Sequence, residues 1–135
     1  VATCRDAERG FRAAAESVAE RGLKDLFARW SQKRADFAEA LEAEMRRLGG
    51  APSGPTVTGA LHRHWMVLRS RVSVSDERAI LAEVDRGERA TLAAYHHALG
   101  HGLPMTARGL VEQQFALIKQ ASDAVRERAH KLPDV

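Results

Sequence analysis

The 135-residue chain has the length of one domain, 1–135, and enough residues to bury a core without disulfides or a structural metal. Aromatic residues make up 5% and charged residues 29%, Ala, Leu, Glu and Arg abound, and β-branched runs are few, so the composition favours helix almost throughout and argues against a β fold. The formal charge of +3 and pI near 9.5 arise from Lys/Arg and Asp/Glu interleaved along the chain, a solvated mixed surface rather than a nucleic-acid-binding block, and no apolar run approaches the ~18 residues of a membrane span.

Apolar positions 4, 7, 11, 14, 15 and 18 predict a first helix running to about Glu20 and stopped near Gly22. Val1 already stands in helical pattern, so this helix is expected to be truncated at its N-terminus, and a removed leader stays open. A second stripe, Leu23, Leu26, Phe27, Trp30, Phe37, Leu41, Met45 and Leu48, continues for about seven turns until Gly49-Gly50. The short break between these helices makes them antiparallel neighbours. After the loop Ala51-Pro-Ser-Gly-Pro55, Val57, Leu61, Trp65, Leu68 and Val72 mark a shorter amphipathic helix, and Ser75 is placed to cap the next one. Ile80, Leu81, Val84, Glu88, Thr91, Tyr95 and Ala98 form the stripe of a third long helix, closed by Gly100 and Gly102. Pro104 opens a fourth near its N1 position, with Val111, Phe115, Ile118, Ala121, Val125, Ala129 and Leu132 on its stripe and Pro133 at its end.

Two glutamates occupy matching surroundings, Cys4-Arg-Asp-Ala-Glu8-Arg-Gly-Phe-Arg-Ala-Ala and Val84-Asp-Arg-Gly-Glu88-Arg-Ala-Thr-Leu-Ala-Ala. A carboxylate on a buried helix face is costly unless it meets a cation or a hydrogen-bond network. Counted from the predicted helix ends at about 1.5 Å per residue, Glu8, Arg34, Glu88 and Gln114 fall at one level, one from each long helix. The expectation is a buried polar layer in which Arg34 bridges both carboxylates and Gln114 and Tyr95 supply further hydrogen bonds. Two acids facing one guanidinium leave a formal −1, so Arg34→Met is expected to cost more than Glu88→Gln. The matched surroundings also predict that the two helical hairpins superpose, Glu8 on Glu88.

The segments Cys4 to Phe11, Arg34-Ala-Asp-Phe-Ala-Glu-Ala-Leu41, Arg47-Leu-Gly-Gly50, Gly59-Ala-Leu-His62-Arg-His-Trp65, Glu88 to Tyr95 and Leu110-Val-Glu-Gln-Gln-Phe115 together resemble an uncharacterised bacterial family of ferritin-like four-helix-bundle proteins, a domain of unknown function. The resemblance implies an all-α ferritin-like bundle of two antiparallel hairpins joined by a long crossover carrying a short fifth helix, and kinship to stress-associated proteins. The superfamily's di-iron site uses one Glu from each of two helices plus Glu-x-x-His from each of the other two. Here the corresponding stretches read Arg34-Ala-Asp-Phe37 and Gln114-Phe-Ala-Leu117, and neither supplies the motif's carboxylate or its imidazole. No metal or other cofactor is therefore expected.

The remaining candidates are histidines and a thiol. His97 and His101 are i,i+4 on one face and suit weak zinc or nickel chelation, but chance surface histidines are the simpler reading, as are His62 and His64. Cys4 reads as a packing residue whose pKa burial would raise, and a single cysteine fits a reducing, cytoplasmic setting. The expected function is non-enzymatic: a cytoplasmic helical protein in stress physiology acting through its surface or as a homo-oligomer. The rival is a divergent di-iron-type oxidase or iron-handling protein built on Glu8 and Glu88, and nucleic-acid binding has only the pI behind it.

Overall fold

The computed structural model describes residues 1–49 and 77–131, which form four α-helices and, among the described residues, no strand. They are α1 (Ala2–Ser17), α2 (Arg21–Arg47), α3 (Glu77–Leu99) and α4 (Met105–His130). The expected helix from Val57 to Val72, the Ser75 cap, His62, His64 and the Leu132-Pro133 terminus lie outside the described residues. No helix among the described residues is long and apolar enough to cross a membrane.

The α1–α2 connection is sharper than the predicted stop near Gly22. α1 ends at Ser17, whose hydroxyl donates to the Ala13 carbonyl (2.7 Å), and Val18 turns extended (φ −87°, ψ 147°) with its side chain plugging the core. Glu20 then caps α2, its carboxylate accepting from the backbone N–H of Gly22 (3.0 Å) and Leu23 (2.7 Å), while Lys24 Nζ donates to the Ala15 carbonyl of α1 (2.6 Å). These bonds satisfy orphan groups of both helix ends, which requires residues 18–20 to leave helical geometry. At its other end α2 closes at Gly49, in the left-handed region with φ +83°. Pro104 is the N-cap residue of α4, one place before the predicted N1 position.

α1 packs on α2 and α3, and α4 packs on α3 and α2. One end of the core joins Ala14, Val18, Leu23, Phe27, Ile80, Leu81 and Val125; the other joins Cys4, Ala38, Tyr95, Val111 and Ile118. The C-terminal half of α1 thus meets the N-terminal half of α3, and the N-terminal half of α2 meets the C-terminal half of α4, so both cross-hairpin pairs are antiparallel. Glu20 with Arg128 (2.6 Å) and Thr106 with Glu44 (2.7 Å) fasten the α2–α4 pair at opposite ends. It follows that α2 and α3, on one diagonal, run in the same direction, with Arg47 and Glu77 at opposite poles.

Candidate functional site

Arg34 lies on the same face of α2 as Leu23, Phe27 and Ala38, and Glu88 on the core stripe of α3; they are 2% and 0% exposed. Arg34 Nη1 and Nη2 donate to Glu88 Oε1 and Oε2 at 2.7 and 2.5 Å, a bidentate pair whose planar geometry suits guanidinium and carboxylate. The guanidinium also stands 5.0 Å from the Phe11 ring centre, within cation–π range. Phe11 is itself held by Phe27 and by Trp30, whose ring meets it edge-on at 5.6 Å, so the ion pair sits against an aromatic wall from α1 and α2.

A second buried network continues along the core. The Gln114 Nε2 donates to the Phe37 carbonyl (3.2 Å), which directs Oε1 at Tyr95, and the Tyr95 hydroxyl donates to it at 2.7 Å. With its one proton committed, the Tyr95 oxygen accepts from the Cys4 thiol at 3.0 Å. Burial pushes the Cys4 thiol above its ordinary pKa, and burial, aided by Cys4, pushes the Tyr95 phenol far up as well. Both hold their protons at neutral pH, so neither is an activated nucleophile.

Glu8 departs from the expected layer. Ser31 Oγ donates to the Glu8 backbone carbonyl at 2.7 Å, which sets Glu8 close to the level of Arg34, but its side chain points away from the core and is 17% exposed. Its oxygens accept from Arg5 (3.2 Å) and Arg12 (3.0 Å) of its own helix, and it borders an open groove between α1 and α2 with Lys24 and Gln32. With the stripe positions of α1 taken as Cys4, Ala7, Phe11, Ala14 and Val18, a turn of roughly 100° per residue puts Glu8 about 80° from the stripe's centre, whereas Glu88 lies about 35° from the centre of the stripe that runs from Ile80 to Ala98. The side chain of Glu8 therefore does not take a core place like that of Glu88, although the two residues lie at similar levels, and the α1 side chain that meets Arg34 is Phe11. The charge balance changes with it: one buried carboxylate faces one guanidinium, and the layer is neutral.

The structure thus brings Arg34 and Glu88 together, places Gln114 in a neighbouring network with Tyr95 and Cys4, and leaves Glu8 at the surface. No group of three or more His, Cys, Asp or Glu suited to hold a metal occurs among the described residues. The Cys4–Tyr95 contact joins residues of two helices and has no local signature in the sequence.

A family model described as a domain of unknown function (DUF2383) matches residues 1–101, spanning α1 to α3 with Arg34, Glu88, Tyr95 and Cys4 but not Gln114. No curated protein and no solved structure matches the chain.

Proposed function

The chain belongs to the DUF2383 family, and from that premise we propose that it is a non-enzymatic ferritin-like four-helix bundle that acts through its surface or by self-association, with a buried ion pair where di-iron members of the superfamily hold metal. The ferritin-like reading is supported by the helix directions: short hairpins with α2 and α3 parallel across the diagonal match a bundle with one long crossover. The proposed setting is stress physiology, by the proposed kinship within that superfamily, and a single buried free cysteine suits a reducing cytoplasm.

The observation that carries the proposal is the bidentate Arg34–Glu88 pair. A di-iron centre would need carboxylates from facing helices with free oxygens. Here both oxygens of Glu88 are taken by Arg34, Glu8 is turned outward between two arginines, and the place of a third acidic ligand is filled by a fixed guanidinium. These residues do not fit the metal pair, so no iron chemistry follows from them. An anaerobic Fe(II) titration of metal-free protein is expected to show no tight site and no oxygen-dependent diferric absorbance. One or more irons per chain bound at about micromolar affinity would overturn the proposal and restore the oxidase reading.

A further inference from the structure

α3 ends in a turn that claims each of its last four carbonyls. The Gly100 N–H lies 3.2 Å from the His96 carbonyl and 3.1 Å from that of His97; the His101 N–H donates to Ala98 (3.2 Å) and Arg108 Nη2 to Leu99 (2.8 Å). Gly102, at φ +66°, completes the reversal. Within this turn the His101 ring folds back, with Nδ1 2.7 Å from the His97 carbonyl. A carbonyl can only accept, so Nδ1 carries the proton, and in the neutral ring Nε2 keeps its lone pair. A backbone carbonyl fixing one ring nitrogen is the usual way in which a metal-ligating histidine is oriented. The exposed His97 ring lies against it, centre to centre 4.2 Å and tilted by 44°, at the negative end of the helix dipole. A rotation of this exposed side chain opens the rings to the separation of about 5 Å that two imidazoles on one tetrahedral zinc require.

We infer that His97 and His101 form a zinc site, completed by the same two residues of a second copy of the chain. Zinc takes imidazole nitrogen and prefers four tetrahedral ligands. One chain offers two imidazoles, and no third His, Cys, Asp or Glu joins them among the described residues. A two-fold axis through the metal brings the same exposed turn of a second chain to it, an isologous contact that supplies the missing nitrogens. The inference rests on the self-association reading above and gives it a mechanism.

The test uses the untagged full chain, stripped of metal, titrated with Zn(II) against a chromophoric chelator while its mass is followed by light scattering. Binding of about 0.5 zinc per chain is expected, with a doubling of mass that EDTA reverses. His97→Ala and His101→Ala should each lower zinc affinity about tenfold or more and abolish the mass change, with helical content unaltered and His96→Ala behaving as the parent. Zinc binding that neither substitution affects, or none at all, overturns the site; one zinc per chain without a mass change overturns its pairing. A dimer that persists unchanged in EDTA also defeats the inference while leaving self-association intact. A chain that binds zinc through both histidines yet stays monomeric defeats the pairing and the self-association reading together.

Discussion

Arg34 and Glu88 meet across the diagonal between α2 and α3 through two parallel hydrogen bonds, with side chains 3% and 0% exposed, and no other carboxylate shares the guanidinium among the hydrogen bonds of the described residues. The pair is electrically closed. Its attraction is largely offset by the cost of desolvating two ions, so its effect falls on specificity: slipping α2 along α3 by one turn would strand both charges in an apolar layer.

Each half of such a pair depends on the other. Arg34→Met leaves a buried carboxylate without a partner, and Glu88→Gln leaves a buried guanidinium; each should cost about 3–5 kcal/mol. This revises the ranking expected from two acids sharing one cation, in which the glutamine change was mild. The double change Arg34→Met with Glu88→Leu should cost far less than the sum, since neither charge remains. Urea denaturation of the three variants checks this, and additive losses would show that the two side chains do not interact.

Glu8 should behave as an ordinary surface acid. Its partners Arg5 and Arg12 have 32% and 61% of their side chains exposed, so Glu8→Gln should cost less than about 1 kcal/mol. The same denaturation series compares it directly with Glu88→Gln. Losses of similar size would mean that Glu8 does reach the core.

The difference between these two glutamates was legible in part. Arg5 at i−3 and Arg12 at i+4 provide Glu8 with cations on its own helix, whereas the residues at ±3 and ±4 from Glu88 are Asp85, Val84, Thr91 and Leu92. An acid with local partners can stay at the surface, and one without them must look across the core. The matched flanking sequences obscured this, because similarity of neighbours does not fix the angle about the helix axis. The four long helices and their hairpin pairing were readable from apolar periodicity and from Gly49, Gly100 and Gly102. The end of α1 was not, since Glu20 lies outside the usual N-cap residues and its role depends on bonds to Gly22 and Leu23. Nor was the Cys4–Tyr95–Gln114 network, which draws on three helices at once.

That network predicts a defined cost for one hydroxyl. Tyr95→Phe leaves the Gln114 Oε1 without its donor and the Cys4 thiol without its acceptor, at a position only 5% exposed. Losing the buried hydrogen bonds should cost about 1–3 kcal/mol, and the Cys4 thiol, protonated and buried, should react with iodoacetamide only through opening of the fold. The variant should therefore alkylate faster than the parent in proportion to its lost stability. Rapid alkylation of the native parent would contradict the buried position of Cys4.

Both ends of α2 carry acids whose ionised form the fold prefers. Glu20 is held below the usual carboxylate range chiefly by the Leu23 N–H, then by that of Gly22, and Glu44 is lowered to about 2 by Arg47 first and Thr106 second. A carboxylate depressed in the folded state contributes stability that is full above its unfolded pKa of roughly 4.3 and is lost as pH falls through the folded value. For Glu44 that window runs from roughly 4.3 down to about 2. The urea midpoint should accordingly fall with acidification across this range, and Glu44→Gln should narrow its gap to the parent as Glu44 itself becomes protonated. Glu20→Gln should do the same at the other end of α2, because protonation removes from the parent the charge that the substitution removes outright. Gaps that stay constant from neutral pH to about 2 would mean that neither carboxylate is better stabilised in the fold than in the unfolded chain.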